Sequence, residues 1–459
     1  MKLCFLYSEY MIKFLRAFVV FLFVSCLPAS GNITPGSVIR DAEIEDILRG
    51  YLNPLFRQAG LNPKDLRLII MATPEVNAAA TFNHTIIVNT GFILTTTGPD
   101  EVAGVFAHEV GHLAERHIVQ KIDAAQNSQI KGMLAAAAGI ALGVFSGRPD
   151  VGAAVAMGGN ISSAYSFLSH SRMEETAADL AAVRYLNGLC WASEGLQKFL
   201  GKLLSQELLS SNLQDPYVRT HPLTRDRVES IRHWIAHSCQ KGLPQKMKED
   251  YKIMIVKLSA FLDPPQIAFQ KFKGDSELDR YAQTILYYRQ KDFQKSLDLL
   301  EGLLKEHPLN PFYWELKGQI LYESGKIKES IGSYQKANQL KPNDPLLMVS
   351  LAQSLVGIEE AKYLKEARNL LEKAKNLEPE NISVWYFLSI VYGRLGDMGN
   401  MALSLAEREV VLQNWKEAHQ QVLRALNFLK KGTKTYTRAL DLKNITSRES
   451  NPATITDRF

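Results

Sequence analysis

The sequence predicts a mainly α-helical chain in two parts: a helix-rich domain holding a small sheet, then an all-helical repeat array. Three observations carry this. The stretch His108-Glu109-Val110-Gly111-His112 puts two histidines four residues apart, on one face of a helix. Two runs rich in branched residues, 66–71 and 85–90, precede it and read as strands. In the C-terminal half prolines recur at Pro308, Pro342 and Pro379, spaced by 34 and 37 residues, the period of stacked helix pairs.

At 459 residues the chain has room for two or three domains, and 46% hydrophobic with 22% charged residues is an ordinary globular balance. The net charge is +5; removing residues 1–31 takes away Lys2, Lys13, Arg16 and Glu9 and leaves +3. That is too weak to argue for nucleic acid.

Lys13 and Arg16 precede an apolar run at 17–24, with Pro28-Ala29-Ser30-Gly31 after it. This predicts a signal peptide over residues 1–31, cleaved near Ala29 to Gly31, with Met11 a candidate start. The run is short for a membrane span, although an uncleaved anchor is the rival reading. Cys26 would allow a lipoprotein signal, but Phe23 stands where Leu is expected. After cleavage only Cys190 and Cys239 remain, and in an oxidising compartment they pair or stay as two buried thiols.

Within residues 35–245, apolar Ile44, Ile47, Leu48, Tyr51 and Leu52 mark one face of a first helix. The two strand candidates follow, with the small residues Asn77-Ala78-Ala79-Ala80 between them. An exposed strand just before the histidine helix would offer a peptide an edge to pair with. Thr97-Gly98-Pro99-Asp100 has the form of a helix start, and Val102, Val105, Phe106 and Leu113 lie on one stripe. That stripe would aim His108 and His112 at one tetrahedral metal, a zinc ion, with Glu109 placed to deprotonate water. Two Ala/Gly-rich runs at 133–145 and 151–159 predict a tight helical hairpin that covers a cleft, touches a membrane surface, or simply packs.

A third ligand is needed. Ser171-Arg172-Met173-Glu174-Glu175 has capping-box form, and Arg172, Glu175 and Asp179 share a helix face. Glu175 is therefore the predicted ligand and Asp179 the predicted acceptor for a ligating ring. Glu174 points about 100° away and ranks second. Further on, His221 sits in the Pro-stiffened turn Thr220-His221-Pro222, from which it could reach the metal or a developing oxyanion, supported by an Arg.

These residues together resemble the HtpX and CAAX-prenyl-protease family of zinc metallopeptidases. The match runs through Asn77-Ala78, Thr90-Gly91, Ala107 to His112, Arg116-His117, and Ser171-Arg172 with Glu175 and Asp179, over roughly residues 40–240. The resemblance implies a zincin-type α+β metallopeptidase domain. It implies one zinc ion held by His108, His112 and Glu175, with Glu109 as general base, Asp179 supporting the ligands and His221 acting near the metal. Integral-membrane members carry several spanning helices and this chain shows none after its signal, so the exported branch is the nearer likeness.

Residues 246–275 read as a connector with a short helical pattern around Ile253 to Phe261. Residues 276–446 read as about four helix pairs resembling a tetratricopeptide-repeat superhelix, carried by Trp314, Gly318, Leu321, Tyr334, Ala337 and Pro342 and their counterparts one repeat later. Such an array has a concave face suited to extended or unfolded protein. An exported zinc peptidase joined to these repeats resembles periplasmic quality-control proteases. That implies misfolded or misassembled envelope proteins as substrates, a chaperone role in outer-membrane β-barrel assembly, and docking to the assembly machinery through the repeats. The rival from another class is a non-catalytic periplasmic chaperone or scaffold.

Overall fold

The computed structural model describes residues 36–81, 83–117, 120, 170–209, 213–235, 239, 241–358 and 360–449. The signal-peptide reading, Cys26 and the apolar runs at 133–159 lie outside the described residues.

Helix α1 (Ala42–Gln58) starts where the Asp41 carboxylate accepts the Ile44 N–H at 2.9 Å. The predicted face, Ile44, Ile47, Leu48, Tyr51 and Leu52, is buried throughout. Each such side chain contributes about 1.5–3 kcal/mol of burial. A four-stranded sheet lies beside it, formed by β1 (Val38–Ile39), β2 (Arg67–Met71), β3 (Ala78–Thr81) and β4 (Thr85–Asn89) in the order β1-β2-β4-β3. β2 and β4 are parallel; β3 returns antiparallel on β4 through a turn with Asn83 and His84 both at φ 54°. The strand expected at 85–90 is therefore interior. The edge nearest the histidine helix is β3, whose alanines gave no strand signal because Ala has little intrinsic β preference.

After α2 (Thr90–Thr95) comes α3 (Pro99–Ala114), which carries both histidines. Asp100 does not cap it. Instead Glu101 reaches back to the Thr97 N–H (3.1 Å) and hydroxyl (2.7 Å), and pairs with Lys202 at 2.6 Å. α4 (Arg172–Gly188) opens with the predicted Ser171–Glu174 capping box. It crosses α3 closely: a Cβ on Gly111 would lie 3.0 Å from the Ala178 carbonyl oxygen. α5 (Glu194–Leu203) presses on α3 at Gly104, where a Cβ would meet the Leu196 backbone nitrogen at 2.4 Å. A short α6 (Pro216–Thr220) and α7 (Arg225–Ile235) complete this layer, and a Cys190–Cys239 disulfide ties the end of α4 to the segment after α7.

Residues read as a connector form α8 (Gln245–Leu262) and α9 (Pro265–Lys271). α8 belongs to two cores at once: Met247, Tyr251, Met254 and Leu258 pack with the sheet domain, Val256 and Ala260 with the repeats. Five helix pairs follow rather than about four: α10 (Glu277–Arg289) with α11 (Phe293–Glu306), α12 (Pro311–Glu323) with α13 (Ile327–Leu340), α14 (Pro345–Val356) with α15 (Ala361–Leu377), α16 (Ile382–Arg394) with α17 (Met398–Val411), and α18 (Trp415–Phe428) with α19 (Lys434–Glu449).

Part of the repeat surface is occupied by the chain's own first domain. Ala42 packs with Ala337 and Leu347, and Tyr281 donates to Glu43 at 2.6 Å. Lys257 pairs with Asp41 (2.8 Å) and Glu43 (3.0 Å), Arg40 with Glu378 (2.6 Å), and Lys341 with Asp46 (2.7 Å). Among the described residues no helix is long and apolar enough to cross a membrane.

Candidate metal centre

The helical i, i+4 spacing on α3 brings the two histidine Nε2 atoms to 3.0 Å from each other. α4 crosses at Gly111 and delivers Glu175, with Oε1 3.3 Å from His112 Nε2 and Oε2 3.5 Å from His108 Nε2. The turn between α6 and α7 supplies His221, whose Nδ1 is 3.1 Å from Glu175 Oε1 and 3.3 Å from His108 Nε2. A tetrahedral zinc with bonds near 2.0–2.1 Å has donor–donor edges of about 3.3–3.4 Å. The four donors, all at most 1% exposed, fit that ion.

Each donor is held from behind. Asp179 Oδ1 stands 2.8 Å from His108 Nδ1. Arg227 clamps Asp179 through Nε (2.8 Å) and Nη2 (3.0 Å), while its Nη1 reaches Glu175 Oε2 at 2.6 Å. His112 Nδ1 lies 2.9 Å from His117 Nδ1, and the His170 ring stacks on His112 at 3.8 Å between centroids. The His170 N–H donates to the Thr220 carbonyl at 2.8 Å, joining this wall to the His221 turn, and Tyr217 stacks on His221 at 4.5 Å.

Glu109 is buried beside the donors. Its Oε2 accepts the Ala80 N–H of edge strand β3 at 2.7 Å. Its Oε1 and His221 Nε2, 3.5 Å apart, have no hydrogen-bond partner among the described residues, which marks space for a polar guest.

Electrostatics follow from burial and charge. Burial opposes a charge on His108, but Asp179 and then Glu175 outweigh it and push the ring up to about 10. Burial holds His112 well below the usual histidine range, so it is neutral with a lone pair for metal. Burial raises Glu109 above the ordinary carboxylate range, against the pull of His221 and His108. Burial would raise Glu175 too, but His221 and Arg227 hold it well below that range.

The structure thus brings together His108, Glu109, His112, Glu175, Asp179 and His221. Glu174 turns away into its cap. The sequence put Arg172 on the face of Glu175 and Asp179 and left the arginine near His221 unnumbered; Arg172 is exposed, and Arg227 is the one that meets both carboxylates. A signal existed: Arg227 interrupts the buried stripe Val228, Ile231 and Ile235 of α7, and a charge on a core stripe implies a buried partner. His117 entered only within a motif, and His170 and Tyr217 carried no pattern that could single them out.

Residues 39–235 match the peptidase family M48, and residues 291–405 match the cytochrome c-type biogenesis protein H TPR domain. The β-barrel assembly-enhancing protease of Yersinia pestis is 23% identical over 75% of this chain and 72% of its own length. That of Escherichia coli strain K12 is 22% identical over 79% and 75%. A Vibrio cholerae relative with the same name in provisional form is 23% identical over 85% and 82%. The chain therefore joins a metallopeptidase domain of family M48 to a tetratricopeptide-repeat domain.

Proposed function

We propose that the chain is an exported zinc metalloendopeptidase that hydrolyses peptide bonds in misfolded or misassembled envelope proteins and assists outer-membrane β-barrel assembly. The observation carrying the catalytic part is the set of four buried donors at tetrahedral spacing with Glu109 beside them. His108, His112 and Glu175 would hold zinc, with His221 as the fourth donor. Bound there, zinc supplies Lewis acidity to a peptide carbonyl and to water.

Glu109, anchored through Oε2 by Ala80, keeps Oε1 available to take a proton from the attacking water and pass it to the leaving amine nitrogen. Asp179, itself clamped by Arg227, fixes the His108 ring. His221 stands at the fourth corner, so this conformation reads as a closed resting site. Turnover requires His221 to withdraw, which would free its ring to donate to the oxyanion. Export to the periplasm is supported by the apolar N-terminal run and by the Cys190–Cys239 pair. The envelope substrate class and the assembly machinery as partner rest on the names of the relatives.

The test is digestion of a denatured outer-membrane barrel protein by the purified chain, with and without chelator, beside Glu109→Gln. Cleavage that is abolished by chelation, restored by zinc and missing in Glu109→Gln supports the peptidase. Suppression of aggregation without any cleavage, indifferent to chelator, supports the chaperone or scaffold instead.

A further inference from the structure

Of the donors facing the metal position, His108 and Glu175 are each backed by a charged group. His112 is not. Its Nδ1 meets His117 Nδ1 at 2.9 Å, and both rings are at least nine-tenths buried. Two ring nitrogens at that distance require one proton between them. When His112 gives its Nε2 lone pair to a metal, its proton must sit on Nδ1, so His112 donates and His117 accepts. His117 then carries its own proton on Nε2. The His170 ring lies flat on His112, 26° from parallel, and stops it rotating about the Cβ–Cγ bond.

We propose that His117 is a positioning residue for the metal centre: it accepts the His112 Nδ1–H, selects the tautomer that presents Nε2, and with His170 fixes the ring plane. The same three histidines could be taken for a second metal site. That would ask His112 to serve two ions as an imidazolate, whereas one shared proton satisfies two ring nitrogens 2.9 Å apart. This inference rests on the zinc reading above and extends it.

The experiment measures zinc affinity of the full chain by competition with a chromophoric chelator, using zinc alone. His117→Phe keeps a ring of similar size and removes the acceptor. It should weaken zinc binding about 10–100-fold, as the loss of such outer partners does. His117→Asn places an amide oxygen where Nδ1 stood and should recover most of that loss. Cobalt substitution gives a second readout, because a misaimed His112 changes the visible ligand-field band. Circular dichroism of the metal-free variants checks folding, and the Asn variant keeps the test decisive should the Phe variant unfold. Wild-type affinity in His117→Phe, or no recovery in His117→Asn, overturns the inference while the zinc reading stands. A second zinc equivalent in the wild type that disappears in His117→Phe overturns it too, since His117 would then be a ligand. A wild-type chain that binds no zinc overturns both readings.

Discussion

Replacing Arg227 by Met tests the electrostatic core of the centre. Met keeps much of the buried stem and removes only the guanidinium. That group makes three contacts with two carboxylates, at 2.8 and 3.0 Å to Asp179 and 2.6 Å to Glu175, and is 4% exposed. Breaking a buried ion pair from one side costs about 3–5 kcal/mol, because the remaining charge has no solvent to turn to. The metal-free variant should therefore lose about 3–5 kcal/mol at pH 7, read by urea unfolding with tryptophan fluorescence. Saturating zinc replaces the lost positive charge beside Glu175 and leaves only the two Asp179 contacts unmet, so the zinc-loaded loss should be smaller than the metal-free one.

The pH dependence has a defined sign. Glu175 is depressed in the folded state, so its stabilisation is present above the unfolded value of 4.5 and is lost as pH falls through the folded value. Without Arg227 the depression shrinks. The gap between wild type and variant should be widest near neutrality and close as pH drops below 4.5. A loss under about 1 kcal/mol in the metal-free protein, within the range of exposed pairs, would refute the reasoning. A gap independent of pH would do the same.

Glu109→Gln should retain zinc and lose at least about 100-fold in peptide turnover, the usual contribution of a general base; metal analysis beside a kinetic assay checks both halves. Because His108 is held up to about 10 in the metal-free site, zinc must displace its proton. Binding near pH 7 should release about one proton from this ring, seen as buffer-dependent heat in calorimetry, and affinity should rise with pH up to about 10. The Cys190–Cys239 bridge closes a 49-residue separation. Its removal by Cys190→Ser with Cys239→Ser should cost about 4 kcal/mol by chain entropy, measured by chemical denaturation without reductant. Since the bridge ties α4 to the end of α7, which together carry Glu175, Asp179 and Arg227, zinc affinity should fall with it.

What the sequence by itself determined lies within single elements. The four-residue step from His108 to His112, the capping box at Ser171 and the shared face of Glu175 and Asp179 all depend on helical period and on neighbours a few residues away. The helix pairs are legible for the same reason, since a repeated pattern of large and small residues writes one local solution several times.

Tertiary structure alone decided which elements meet. The Ala78–Thr81 strand exists because β4 and Glu109 take its backbone groups, not because alanine favours strands. The short helical pattern at Ile253 to Phe261 extends to Gln245–Leu262 and is shared by two cores because apolar residues on more than one of its faces found partners in both domains. Arg227 finds Asp179 across 48 residues, His221 finds His108 across 113, and Arg40 finds Glu378 across 338. No local pattern specifies such pairings. The close approach of Gly111 to Ala178 shows how one such meeting is made: the absence of a side chain lets α4 come near enough to α3 for Glu175 and Asp179 to reach the histidines.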